Sequence, residues 1–153
     1  MSISCLALGI TMSPALAAPK ITEVIQNYAV SATTIRGLKS EFKTNGQNGF
    51  AGFTRWEVRW DAACRVEVKI TYTLPNHTDP DAMPPQVRDS YFRFLKNLKS
   101  HERLHGQNGI MAGTEVKQAG CANVQPIIRK YNRADKRLDR RTKNGRSQGV
   151  TLN

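Results

Sequence analysis

Val87, Tyr91, Phe94, Leu98, His101 and His105 follow one another at intervals of four, three, four, three and four residues. Only an α-helix gathers such a series into one stripe. A stripe of that length needs a covering partner, because helices in water draw most of their stability from burying an apolar face. It also ends on two imidazoles one turn apart, so whatever covers it must satisfy polar rings as well. Pro84-Pro85 stands at the start, where proline is tolerated. Gly106 and Gly109 are expected to weaken or bend the helix beyond the histidines.

The expected partner is a small sheet. Trp56, Val58 and Trp60 alternate with Arg55, Glu57 and Arg59. After Asp61-Ala62-Ala63, the series Cys64, Val66, Val68, Ile70 and Tyr72 alternates with Arg65, Glu67, Lys69, Thr71 and Thr73. Period-two alternation predicts two half-buried strands in an antiparallel hairpin. Leu74-Pro75 is read as the end of the second strand, and 76–85 as a loop. Trp56 and Trp60 belong to the apolar face, so core positions are expected for both, with a cleft lining as the alternative.

Upstream, Val24, Tyr28 and Val30 mark a strand over 23–30, and Thr33-Thr34 caps a short helix through Ile35, Leu38 and Phe42. Downstream, a turn at Ala119-Gly120 precedes a last helix from Val124 to Arg141, with Pro126 in its first turn; 144–153 reads as irregular. The fold class predicted is α+β: a small antiparallel sheet with a hairpin, packed against the long histidine helix and a C-terminal helix.

The 153 residues suit one domain. Residues 1–17 differ from the rest: they carry no charge, run apolar from Cys5 to Ile10, and end in Ala15-Leu16-Ala17. They are read as a signal peptide, although the Lys or Arg usual near its start is missing. The stretch is too short for a membrane span. The expectation is a periplasmic or secreted domain over 18–153, with no transmembrane segment. Loss of Cys5 with the signal leaves Cys64 and Cys121, which an oxidising compartment would join across a loop containing both histidines.

Net charge is +11, and nine of the 23 Lys and Arg side chains lie between Arg129 and Arg146. This region can attract an anionic envelope surface, or it can simply be a solvated helix face. A nucleic-acid partner is not expected in an exported chain.

His101-Glu102-Arg103-Leu104-His105 has the spacing of a zinc-hydrolase signature. Histidines at i and i+4 project from one side of a helix and can share a tetrahedral Zn²⁺. Glu102 is rotated away from the ion but within reach of a water beside it, as a general base requires. The alternative is a pair of core or capping histidines without metal. A catalytic zinc needs a third protein ligand. The metzincin continuation is absent, since Asn108 and Met111 stand where Gly and His would be needed. The candidates are Glu115, Asp135, Asp139 and His77. If the last two helices turn near 120–121, position 139 comes level with 102, which favours Asp139. An ion pair with nearby arginines is its alternative role.

The sequence resembles a bacterial family of uncharacterised predicted secreted zinc-dependent proteases. Trp56 to Trp60, Cys64, Thr73-Leu74-Pro75, the His101–His105 motif, Cys121, Leu138-Asp139-x-x-Thr142-x-Asn144-Gly145 and Gln148-Gly149 carry the likeness. It implies a zincin-like domain with His101 and His105 as zinc ligands and Glu102 as catalytic acid/base, and it draws Asp139 into a family motif. Asn144 departs from it, standing where many relatives are expected to have histidine. The function expected is a zinc-dependent metallopeptidase acting on a peptide or protein substrate. The alternative is a non-catalytic envelope-binding protein with a structural or vestigial metal site.

Overall fold

The computed structural model describes residues 18–153, so the signal-peptide reading of 1–17 lies outside the described residues. Three strands and three helices follow in the order β1 (Lys20–Val30), α1 (Ile35–Asn45), β2 (Phe53–Trp60), β3 (Val66–His77), α2 (Pro85–Gln118) and α3 (Val124–Thr142). The α+β class holds, but the sheet is mixed rather than antiparallel. Its order is β1-β3-β2, with β2 antiparallel and β1 parallel to the central β3. α1 carries the chain from β1 to β2 at the opposite edge, and the β2–β3 hairpin then turns it back into the central position, parallel to β1.

The hairpin β2–β3 sets Trp56 opposite Ile70 and Val58 opposite Val68. Asp61 closes its turn, its carboxylate accepting from Ala63 N at 3.0 Å and Arg65 N at 2.9 Å. Val66, Val68, Ile70, Tyr72 and Leu74 are buried, whereas Arg55, Glu67 and Lys69 face water on the other side. Trp60 corrects the core expectation: it stays 43 % exposed. Alternation assigns a residue to a face without guaranteeing that anything covers it, and Trp60 lies on an edge strand.

Leu74-Pro75 does not end β3, which runs on to His77. Pairing with β2 stops at Thr73, so the missing N–H of Pro75 costs no bond on that side. The Pro75 carbonyl accepts instead from the Tyr91 hydroxyl at 3.3 Å.

Nor do the glycines break α2, which runs for 34 residues, about 51 Å. Gly106, Gly109 and Gly113 lie where the helix presses against the sheet. A methyl group at 106 would collide with Tyr72, at 109 with Trp56 at 2.6 Å, and at 113 with Val68. Their poor helix propensity is offset by close helix–sheet packing. Gly113→Ala should therefore destabilise the fold by about 1–3 kcal/mol despite alanine's better propensity, read as a lower urea midpoint. An unchanged or higher midpoint would contradict this account of the glycines.

Phe42 of α1 stacks on Phe94 of α2 with centroids 5.1 Å apart, in a core that also holds Leu38, Ile70, Tyr91, Leu98 and, from the tail, Leu152. A second cluster of Val66, Val116, Val124 and Ile127 lies under the α2–α3 turn. Beside it Cys64 and Cys121 form a disulfide across 57 residues of sequence, joining the β2–β3 turn to the α2–α3 turn.

Candidate metal centre

The stripe on α2 brings His101 and His105 to adjoining turns, both buried, with ring centroids 5.0 Å apart. α3 packs back against α2 and presents Asp139 to them. One Asp139 oxygen, Oδ1, lies 3.1 Å from His105 Nε2 and 3.4 Å from His101 Nε2. The donor atoms of these three residues all fall within 4.8 Å of one another. A tetrahedral ion with bonds of about 2.0–2.1 Å spaces its ligands about 3.3 Å apart, which both measured separations match.

Each ring is turned by a partner on its far nitrogen. His101 Nδ1 lies 2.7 Å from Gln148 Oε1, and His105 Nδ1 lies 3.0 Å from Asp135 Oδ1. Those oxygens only accept, so the hydrogen-bond network assigns the ring protons to Nδ1 and turns both Nε2 lone pairs toward Asp139. Two imidazole acceptors and a carboxylate oxygen then face one another, an arrangement that needs a cation between them, either a proton or a metal ion. In the metal-free chain burial lowers the His105 pKa, but the Asp135 hydrogen bond and the charges of Asp139, Asp135 and Glu102 outweigh it, and the net direction is upward.

Glu102 sits beside this cluster, 5 % exposed, with Oε2 accepting from the Thr54 hydroxyl at 2.7 Å. Burial raises its pKa, against the lowering effects of the Thr54 hydrogen bond and the two histidines. Gly52 lies close by: a methyl there would come within 2.7 Å of Glu102 Oε1. A cleft of about 470 Å³ opens over the group, lined by Phe50 to Thr54 on one side and by Asn132, Lys136 and Asp139 of α3 on the other.

Of the third-ligand candidates, only Asp139 joins the two histidines. Asp135 stands behind His105, where its carboxylate also accepts from Asn108 Nδ2 at 2.6 Å and Trp56 Nε1 at 2.8 Å. Glu115 is committed to Lys130 and to the Tyr131 hydroxyl. His77 is buried with both nitrogens engaged, Nε2 on the Ala32 carbonyl and Nδ1 accepting from Asp79 N. Asn144 lines the cleft.

A family model described as bacterial protein of unknown function (DUF922) matches residues 25–146. The chain belongs to this DUF922 family. No curated protein matches the chain, and no solved structure does. No helix among the described residues is long and apolar enough to cross a membrane.

In this DUF922 chain several residues around the site carry no metal-binding signature of their own. Trp56 crosses α2 over Gly109 to reach Asp135 on α3. Lys143, Asn144 and Gly145 all have positive φ, and the sharp turn they make brings Gln148 back to His101. Gly145 is needed twice, for its φ of 78° and because a side chain there would press on Val150 and the His101 ring. The only signal for Gln148 was its place in the tail motif. If the cluster takes zinc, Gln148→Leu should lower the affinity about 10–100-fold by freeing the His101 ring. Competition with a fluorescent chelator would measure it, and unchanged affinity would remove Gln148 from the site.

Proposed function

We propose that this protein is a zincin-like, zinc-dependent peptidase acting in the periplasm or outside the cell. The observation that carries the reading is the convergence of His101 Nε2, His105 Nε2 and Asp139 Oδ1 at separations suited to one tetrahedral ion, with a buried carboxylate alongside. Histidine nitrogen and carboxylate oxygen are ordinary zinc donors. When bound, zinc supplies Lewis acidity toward a carbonyl and makes a neighbouring water more acidic.

The chain's own groups do the rest. Gln148 and Asp135 hold the two rings with Nε2 inward, so no ring has to reorient as metal binds. Thr54 engages Oε2 of Glu102, leaving Oε1 to take a proton from the attacking water and return it to the leaving amine. Burial raises the Glu102 pKa in the metal-free chain, and a divalent ion on the histidines would oppose that rise and favour the carboxylate form that accepts a proton. Among the described residues no strand pairs with the outer side of β2, and its first residues, Phe53 and Thr54, line the cleft. An extended substrate can pair along that edge, as peptides do in strand addition.

Chelator treatment of the purified chain, followed by zinc addition, tests the proposal on a quenched unfolded protein substrate. Cleavage that disappears and returns with zinc supports it. Cleavage indifferent to chelation contradicts it. The other reading, a non-catalytic envelope-binding protein with a structural or vestigial metal site, predicts zinc uptake without cleavage under every condition.

A further inference from the structure

We infer that the basic outer face of α3 docks an acidic polypeptide and leads it into the cleft, which names the substrate class and rests on the peptidase reading. Arg129, Arg133, Lys136 and Arg140 recur at intervals of four, three and four residues, so they form one stripe. All four are exposed, on the side of the helix opposite the buried Ile127 and Leu138. Arg137 and Arg141 flank the stripe and are exposed too.

None of these six makes an ion pair among the described residues. Most other Lys and Arg side chains lack a carboxylate partner too, so what sets these six apart is their concentration on one helix rather than the missing pairs. The two acids of α3 cannot neutralise the stripe, since Asp135 and Asp139 are turned onto the histidines. Like charges one turn apart repel, so the helix carries a cost that an anionic partner would relieve.

The stripe is continuous with the site. Lys136, in its middle, lines the cleft together with Asn132, His101, Glu102 and His105. The opposite wall begins at Phe50, which is half exposed and apolar. One lip is thus cationic and the other apolar. What a peptidase admits must contain an amide bond, and carboxylate side chains along the same chain would lie against α3. A lipid surface fits less well, because none of the large exposed apolar side chains lies on α3 to insert into a membrane.

The test is fluorescence anisotropy of a labelled glutamate-rich peptide of about a dozen residues. It is added to the zinc-supplemented Glu102→Gln chain, so that the probe is not consumed. Binding should exceed that of a Gly/Ser peptide of equal length by at least about tenfold at low salt and fall as salt screens it. Arg133→Gln with Arg140→Gln should weaken it, and Arg133→Glu with Arg140→Glu should abolish the preference. Equal binding of the two peptides overturns the inference. So does binding of phosphatidylglycerol vesicles without binding of the acidic peptide. Cleavage by the wild-type chain is scored separately. Acidic-peptide binding without any cleavage keeps the docking face and removes the peptidase reading. Cleavage indifferent to acidic residues keeps the peptidase and removes the docking face.

Discussion

Glu102→Gln is expected to lower hydrolytic turnover by about 10²–10⁴-fold, the range lost with a general base, while zinc content stays unchanged. The amide fills nearly the same volume in a buried position and can still accept from the Thr54 hydroxyl. It cannot take up a proton at neutral pH. Glu102 does not belong to the cluster of His101, His105 and Asp139, so its replacement leaves the donors intact. Steady-state kinetics beside metal analysis of the same preparation checks both halves. Retained turnover would remove Glu102 from the chemistry; lost zinc would assign it to the metal.

Replacing Cys64 and Cys121 together by Ser should cost about 4 kcal/mol, as expected for releasing a closed loop of this size. That corresponds to a fall in Tm of about ten degrees for a chain of this length. Both cysteines have positive φ, a backbone conformation unfavourable to L residues. Serine would keep that strain and lose the cross-link. The bridge ties the β2–β3 turn to the α2–α3 turn, where Lys117 Nζ also donates to the Cys64 carbonyl at 2.8 Å. An unchanged unfolding midpoint under reducing conditions would contradict this role.

Much of the scaffold was legible because each period has one geometric meaning. Alternation from Trp56 to Tyr72 foretold the hairpin, and the stripe from Val87 to His105 foretold α2 and its buried face. The hairpin of the last two helices put Asp139 level with Glu102 by length alone. What escaped depends on contacts between residues distant in sequence. β1 shows little alternation, with Ile21 and Ile25 exposed, so its parallel pairing left no pattern to read. Propensity registers the cost of Gly106 and Gly109 but not the Tyr72 and Trp56 rings packed against them. A lone histidine such as His77 looks like a ligand until the Ala32 carbonyl and Asp79 amide are found on its ring. Gln148 and Thr54 are polar residues of common type, and only folding shows that one aims His101 and the other holds Glu102.

The central claim is that three side chains from two helices share one divalent ion. Elemental analysis of the purified chain after dialysis against trace zinc tests it most directly, with His105→Ala and Asp139→Ala in parallel. The account predicts one zinc per folded wild-type chain and a large loss in both variants. A folded wild-type chain without zinc, or an Asp139→Ala chain that holds it undiminished, would contradict it.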